Sequence, residues 1–132
     1  MTAEEKEKII DKWLPILNAD YLHFDEDGLE NARRYARIAS IKEYGDMGVM
    51  MWATLKDIDN VVKTTSLLFY VKPEYRGTNL FLTMIKNLEI IAVKEGAKAI
   101  IIGGSVSGYK EEKFNKIFAQ FGYLPNGFIK KV

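Results

Sequence analysis

The stretch "VKPEYRGTNLFLTMIKNLE", Val71 to Glu89, decides the fold. The β-branched and aromatic run "VVKTTSLLFYVK" leads into it and reads as a central strand, apolar on both faces towards its end. Pro73 ends that strand. Beyond Arg76-Gly77, the residues Phe81, Met84, Ile85, Leu88, Ile91 and Ala92 recur at helical spacing. That spacing predicts a helix from about Gly77, with Gly96 at its C-terminal cap. A strand, a turn carrying arginine and glycine, and a helix start bring unpaired amides and the positive end of a helix dipole to one point. Such a point favours an anion.

Upstream, Thr2 and Glu5 have capping-box spacing, so a helix is expected from Ala3, with an apolar stripe of Ile9, Ile10, Trp13, Leu14 and Leu17. Pro15 is expected to kink or end it. "DGLE", Asp27 to Glu30, repeats the capping spacing and predicts a short second helix through Tyr35. Alternation from Ile38 to Tyr44, the turn signal Gly45-Asp46, and the apolar run Val49 to Leu55 predict a β-hairpin; a long helix over residues 30–44 is the rival reading. Downstream, "AKAIIIGG" reads as a short buried strand. "YKEEKFNKIFAQFG" reads as an amphipathic helix with Phe114, Ile117, Phe118 and Phe121 inward. "YLPNGFIKKV" reads as a last strand interrupted at Pro125-Asn126-Gly127.

The predicted order is two helices, an antiparallel meander of three strands, a helix, a strand, a helix and a strand. The strand–helix–strand unit should be a right-handed parallel crossover. This is an α/β class, a mixed sheet with helices on both faces, in one domain spanning residues 1–132.

Composition narrows the function. Net charge is +1 with both signs interspersed, which gives no support to bulk attraction to nucleic acid or membrane. There is no cysteine, so disulfides, thiolate metal sites and a Cys nucleophile are excluded. One histidine, His23, cannot build a histidine-based metal cluster. No apolar run approaches the ~20 residues of a membrane span. The start "MTAEEKEKII" does not read as a signal peptide, and a cytoplasmic location is the default expectation.

The element order, with "VKPEYRG" between the third strand and its helix, resembles the GNAT N-acetyltransferase fold over about Arg37 to Val132. The closing "FAQFGYLPNGFIKK" is similar to that family's ending, and the layout also resembles short acetyltransferase-like proteins encoded by phages. The resemblance implies acetyl-CoA as cosubstrate and a primary amine as acceptor. It implies a pyrophosphate cradle at Arg76, Gly77, Thr78, Asn79, Leu80 and Phe81, and pairing of the pantetheine arm with backbone at Tyr70, Val71 and Lys72. It also implies a carbonyl-polarising backbone N–H between Leu68 and Val71. In the family pattern Arg/Gln-x-x-Gly-x-Gly/Ala, Arg76 matches. Asn79 stands at the first glycine and Phe81 at the second small residue. The family's proton-donating tyrosine corresponds to Phe118, and the third strand has no Asp, Glu or His between Val61 and Lys72. These departures sustain a second reading, a catalytically degenerate module of the same fold that binds a protein partner. A plain strand-to-helix turn, with Arg76 solvated or paired to Glu74, is the structural alternative for the loop.

Other candidates carry two readings each. His23, in "YLHFDED", is a titrating group or a structural histidine. Tyr109 and Tyr123 approach the cleft or pack. Asp25, Glu26 and Asp27 attract an amine or begin a helix. Gly103-Gly104-Ser105 admits a ligand's backbone or simply turns. "MGVMMWA" is an adaptable contact surface or core.

Overall fold

In a computed structural model the structure describes residues 1–106, 111–123 and 129–132. Helix α1 runs Ala3–Leu17, and its N-cap Thr2 accepts the Glu5 amide at 3.1 Å. Pro15 does not end it. The residue lies in the last turn, and the carbonyl it deprives of a donor belongs to Asp11, an exposed residue. The chain continues into a π-helical turn at Asn18–Leu22. Helix α2 spans Glu26–Ile38, starting earlier and ending later than expected. Its cap is Asp25, whose carboxylate accepts the Gly28 amide at 2.9 Å. Ile38 belongs to this helix rather than to a strand, and the chain turns extended only at Ala39.

The hairpin forms as expected, from β1 (Ser40–Tyr44) and β2 (Gly48–Lys56). Strand β3 (Val62–Val71) pairs antiparallel with β2. A 3₁₀ turn at Pro73–Tyr75 precedes α3 (Leu80–Lys94), which starts later than Gly77. Gly96 does cap its end: the Gly96 amide donates to Val93 O and the Ala97 amide to Ala92 O, a Schellman pair. Strand β4 (Ala99–Val106) pairs parallel with β3, α4 spans Glu111–Gln120, and β5 (Ile129–Lys131) pairs antiparallel with β4. The sheet order is β1-β2-β3-β4-β5. Tyr109 and the Pro125–Gly127 interruption lie outside the described residues, as does the side chain of Phe114. Among the described residues no helix is long and apolar enough to cross a membrane.

Each sheet face carries its own core. On one, Phe69 and Val71 of β3 pack with Phe81, Met84, Ile85 and Leu88 of α3 and Phe118 of α4. On the other, Leu68 and Tyr70 pack with Ile10, Trp13, Leu14 and Leu17 of α1, beside Val49 and Ile41. Each such side chain contributes about 1.5–3 kcal/mol by leaving water. The methionine-rich strand is largely core, with Met50 fully buried.

Strand β3 is bulged. Met51 faces Leu68 and Trp52 faces Ser66, which leaves Leu67 extra on the β2 side. On the β4 side the register also breaks there, between Ser66↔Ile102 and Leu68↔Ser105. Because strand side chains alternate, one added residue exchanges the faces of everything beyond it. Ser66 and Thr64 therefore share a face with Phe69 and Val71.

Gly48 sits where two backbones meet. A Cβ there would collide with the Tyr70 carbonyl oxygen and lie 2.8 Å from Met84 Cε. Gly48→Ala is expected to destabilise the fold by about 1–3 kcal/mol, read as a lower urea midpoint, because backbone cannot move aside as a side chain can.

Candidate functional site

The loop between β3 and α3 is tightly built. Lys72 donates its amide to Met47 O at 2.9 Å, which holds the strand end against the hairpin turn. Pro73 opens the 3₁₀ turn, and Gly77 follows at φ +88°, a conformation that side-chain-bearing residues seldom take. A Cβ on Gly77 would meet nothing within 4 Å, so the loop is open on that side. Thr78 Oγ1 donates to Tyr75 O at 2.7 Å and accepts the Leu80 amide at 3.3 Å. The first α-helical bond of α3 is Thr83 N to Asn79 O at 3.0 Å. Two of the amides before it are engaged within the loop, that of Thr78 on Tyr75 O at 3.4 Å and that of Leu80 on the Thr78 hydroxyl. Asn79 caps α3 at an ordinary φ of −81° with its side chain making no cap hydrogen bond.

Phe81 turns into the core and does not stand over the loop. It is 2 % exposed and meets Phe69 and Phe118 edge-on at 5.6 and 5.8 Å between ring centres. Phe118 also contacts Tyr123 at 5.4 Å. Tyr123 is the second aromatic the sequence offered to the cleft, and it packs instead beneath this cluster. Burial above all, then the Glu89 carboxylate, pushes its phenol upward.

Arg76 is engaged within the protein, and its partner is Asp20 rather than Glu74. One terminal nitrogen donates to Asp20 Oδ2 at 2.6 Å, Nε donates to Val71 O at 2.9 Å, and the guanidinium lies 5.8 Å from the centre of the Tyr70 ring. The Tyr70 hydroxyl donates to the same Asp20 oxygen at 3.0 Å. Partial burial opposes ionisation of Asp20, but the hydrogen bonds from Arg76 and Tyr70 outweigh it and hold the carboxyl below its usual value. Burial first and the Asp20 bond second push the Tyr70 phenol up to about 12. This trio ties the π-helical turn to the strand end and the loop. Sequence reasoning passed over Asp20, since nothing local marks a carboxylate that pairs across the fold.

The remaining candidates disperse. His23 occupies a left-handed turn position at φ +53°, with its amide on Asn18 O, and its side chain is exposed. Asp25 is a helix cap. Glu43 and Glu95 are held by the indole N–H groups of Trp13 and Trp52, at 2.8 and 3.1 Å. Tyr70 and Val71 are buried, and the β3–β4 pairing reaches Phe69↔Val106, just short of them.

No family model and no curated protein matches the sequence. Solved structures do match the fold. An aminoglycoside acetyltransferase from an uncultured soil metagenomic sample superposes with TM-score 0.68 at 15 % identity, covering 96 % of this chain and 90 % of its own. A predicted acetyltransferase with acetyl-CoA from Clostridium acetobutylicum gives 0.65 at 13 %, covering 96 % and 88 %. The ribosomal-protein-alanine N-acetyltransferase of Brucella melitensis biovar Abortus 2308 gives 0.64 at 15 %, covering 90 % and 88 %. The chain has the mixed α/β fold of GNAT acetyltransferases.

Asp20→Asn should cost about 1 kcal/mol of stability at neutral pH, the scale of a partly exposed pair strengthened by a second hydrogen bond. Since the folded state lowers the pKa of Asp20, its contribution is present above 3.8 and disappears as pH falls through the folded value. The gap between wild type and variant, measured by urea unfolding, should therefore close in acid.

Proposed function

We propose that the protein is an acetyl-CoA-dependent N-acetyltransferase acting on a primary amine. The observation that carries this is the loop itself, a glycine turn open to solvent at the N-terminus of α3, with Phe81 folded away beneath it. A pyrophosphate suits this geometry, since the amides of a helix start and the helix dipole favour an anion. On this reading the amides of Gly77, Thr78, Asn79, Leu80 and Phe81 hold the phosphates, those of Thr78 and Leu80 leaving Tyr75 O and the Thr78 hydroxyl to do so. Arg76, its charge offset by Asp20, fixes the loop beside them. Backbone at Tyr70, Val71 and Lys72 pairs with the pantetheine arm as an added strand would. A backbone N–H near the bulge of β3 polarises the thioester carbonyl. The amine nitrogen attacks the carbonyl carbon, the C–N bond forms and the C–S bond breaks. The thiolate leaves, and the proton lost by nitrogen passes through water to sulfur. The neighbour solved with acetyl-CoA supports the choice of cosubstrate.

A second reading, a module of this fold that no longer catalyses, is favoured by one observation. Phe118, where the resemblance places a proton donor, is fully buried among aromatic rings. Turnover of any amine would exclude it.

Calorimetric titration separates the two. Acetyl-CoA and CoA should bind in the micromolar range, a pantetheine analogue lacking the pyrophosphate should bind much more weakly, and Arg76→Ala should lose about tenfold. A folded protein that ignores millimolar acetyl-CoA would overturn the first reading.

A further inference from the structure

The core beneath α1 and α2 is incompletely filled. Between these helices and the sheet lies a cavity of about 270 Å³. Leu67 and Leu68, the two residues at the bulge of β3, line its sheet side, and Trp13, Leu17 and Leu22 line the helical side. Ala32 of α2 also lines it, where a larger side chain would occupy the space. Among the described residues no charged side chain lines it. The indole N–H of Trp13 is already satisfied by Glu43. Phe24 and Tyr35, also in the lining, are 43 % and 65 % exposed, so the space reaches solvent between the helices.

Protein interiors hold few voids larger than a water molecule, and a void of this kind, lined by hydrocarbon, accepts apolar molecules. An apolar cavity of about 150 Å³ takes up benzene. The one here has room for a ring with a short chain. Its sheet side is the same bulged strand to which the proposed reaction assigns the carbonyl-polarising amide.

We propose that this cavity binds the hydrocarbon body of the acceptor, an arylalkyl or branched-alkyl primary amine whose nitrogen stays beside β3. This rests on the acetyltransferase reading and narrows it. Polyamines and polyhydroxylated amines are disfavoured, because most of their polar groups would lose water against a wall that is largely hydrocarbon.

The test is an NMR titration of the full chain with 2-phenylethylamine and 3-methylbutylamine, against ethanolamine and putrescine. The indole signal of Trp13 should move with the apolar amines, while that of Trp52, in the other core, stays still. The apolar amines should bind at least about tenfold more tightly than ethanolamine. Ala32→Phe should weaken them by a similar factor, its fold verified by urea unfolding; the wild-type selectivity stands as evidence without the variant. Equal affinity across the four amines, or a silent Trp13 at millimolar ligand, overturns the proposal. Calorimetry with acetyl-CoA on the same sample tells the failures apart. CoA binding with a silent Trp13 overturns the cavity assignment and leaves the acetyltransferase reading standing. Apolar amine binding without CoA binding overturns the acceptor role.

Discussion

Strand β3 is covered on both faces, and its alternating side chains anchor two separate cores. Its phase therefore matters more than that of any other element. The added residue at Leu67 sets that phase for the strand's second half. It sends Phe69 and Val71 under α3 and Leu68 and Tyr70 under α1. Without it, Tyr70 would change faces and lose the Trp13 edge contact at 6.1 Å and the hydrogen bond to Asp20. The loop would then have neither its tether nor its aromatic floor. A bulge in the middle of a buried strand also leaves backbone unpaired locally, and that is the strand to which the proposed chemistry assigns its polarising amide.

The loop itself shows how one substitution against a family pattern can be absorbed. A phenylalanine in place of a small residue at a helix start would obstruct a ligand if its ring pointed outward. Here the ring lies in a cluster with Phe69 and Phe118. Phe118, the other departure, is the partner that makes room for it useful. The two changes are thus one packing arrangement. Arg76 is shared in a similar way. Its bonds to Asp20 and Val71 give the loop a fixed shape, while the Asp20 carboxylate offsets its charge.

Much of the architecture was legible because periodicity reports burial. The hairpin, the central strand, the crossover unit and the Gly96 cap follow from spacing and turn chemistry. The boundaries that moved did so for local reasons. Pro15 falls in a last turn, where it costs the helix only the bond to the exposed Asp11, and α2 begins at the cap Asp25 supplies rather than at Asp27. Asn79 starts α3 because the 3₁₀ turn and Gly77 use up the residues before it. What could not be read were relations between distant residues. Asp20 is separated from Tyr70 and Arg76 in the chain by a helix and three strands and meets them only in the folded protein. The cavity is a sum of side-chain volumes from several elements. The bulge shows in the register of neighbouring strands and not in the composition of β3.

The lack of a general base on β3 acquires a physical meaning beside that cavity. An alkylamine in water at neutral pH is an ammonium ion, with a pKa near that of lysine, about 10.4, and cannot attack a carbonyl. An enzyme can place a carboxylate or histidine to remove the proton, or it can bind the neutral form. A pocket of hydrocarbon does the second, since desolvation disfavours the charged form and lowers the pKa of a bound amine. The leaving group makes the smaller demand, for a thiolate has a conjugate acid near the cysteine value of about 8.5 and departs without help from a strong acid. On the proposed reading, a third strand without a base thus belongs with an apolar acceptor site that takes up the neutral amine, and water carries the proton that the attack releases.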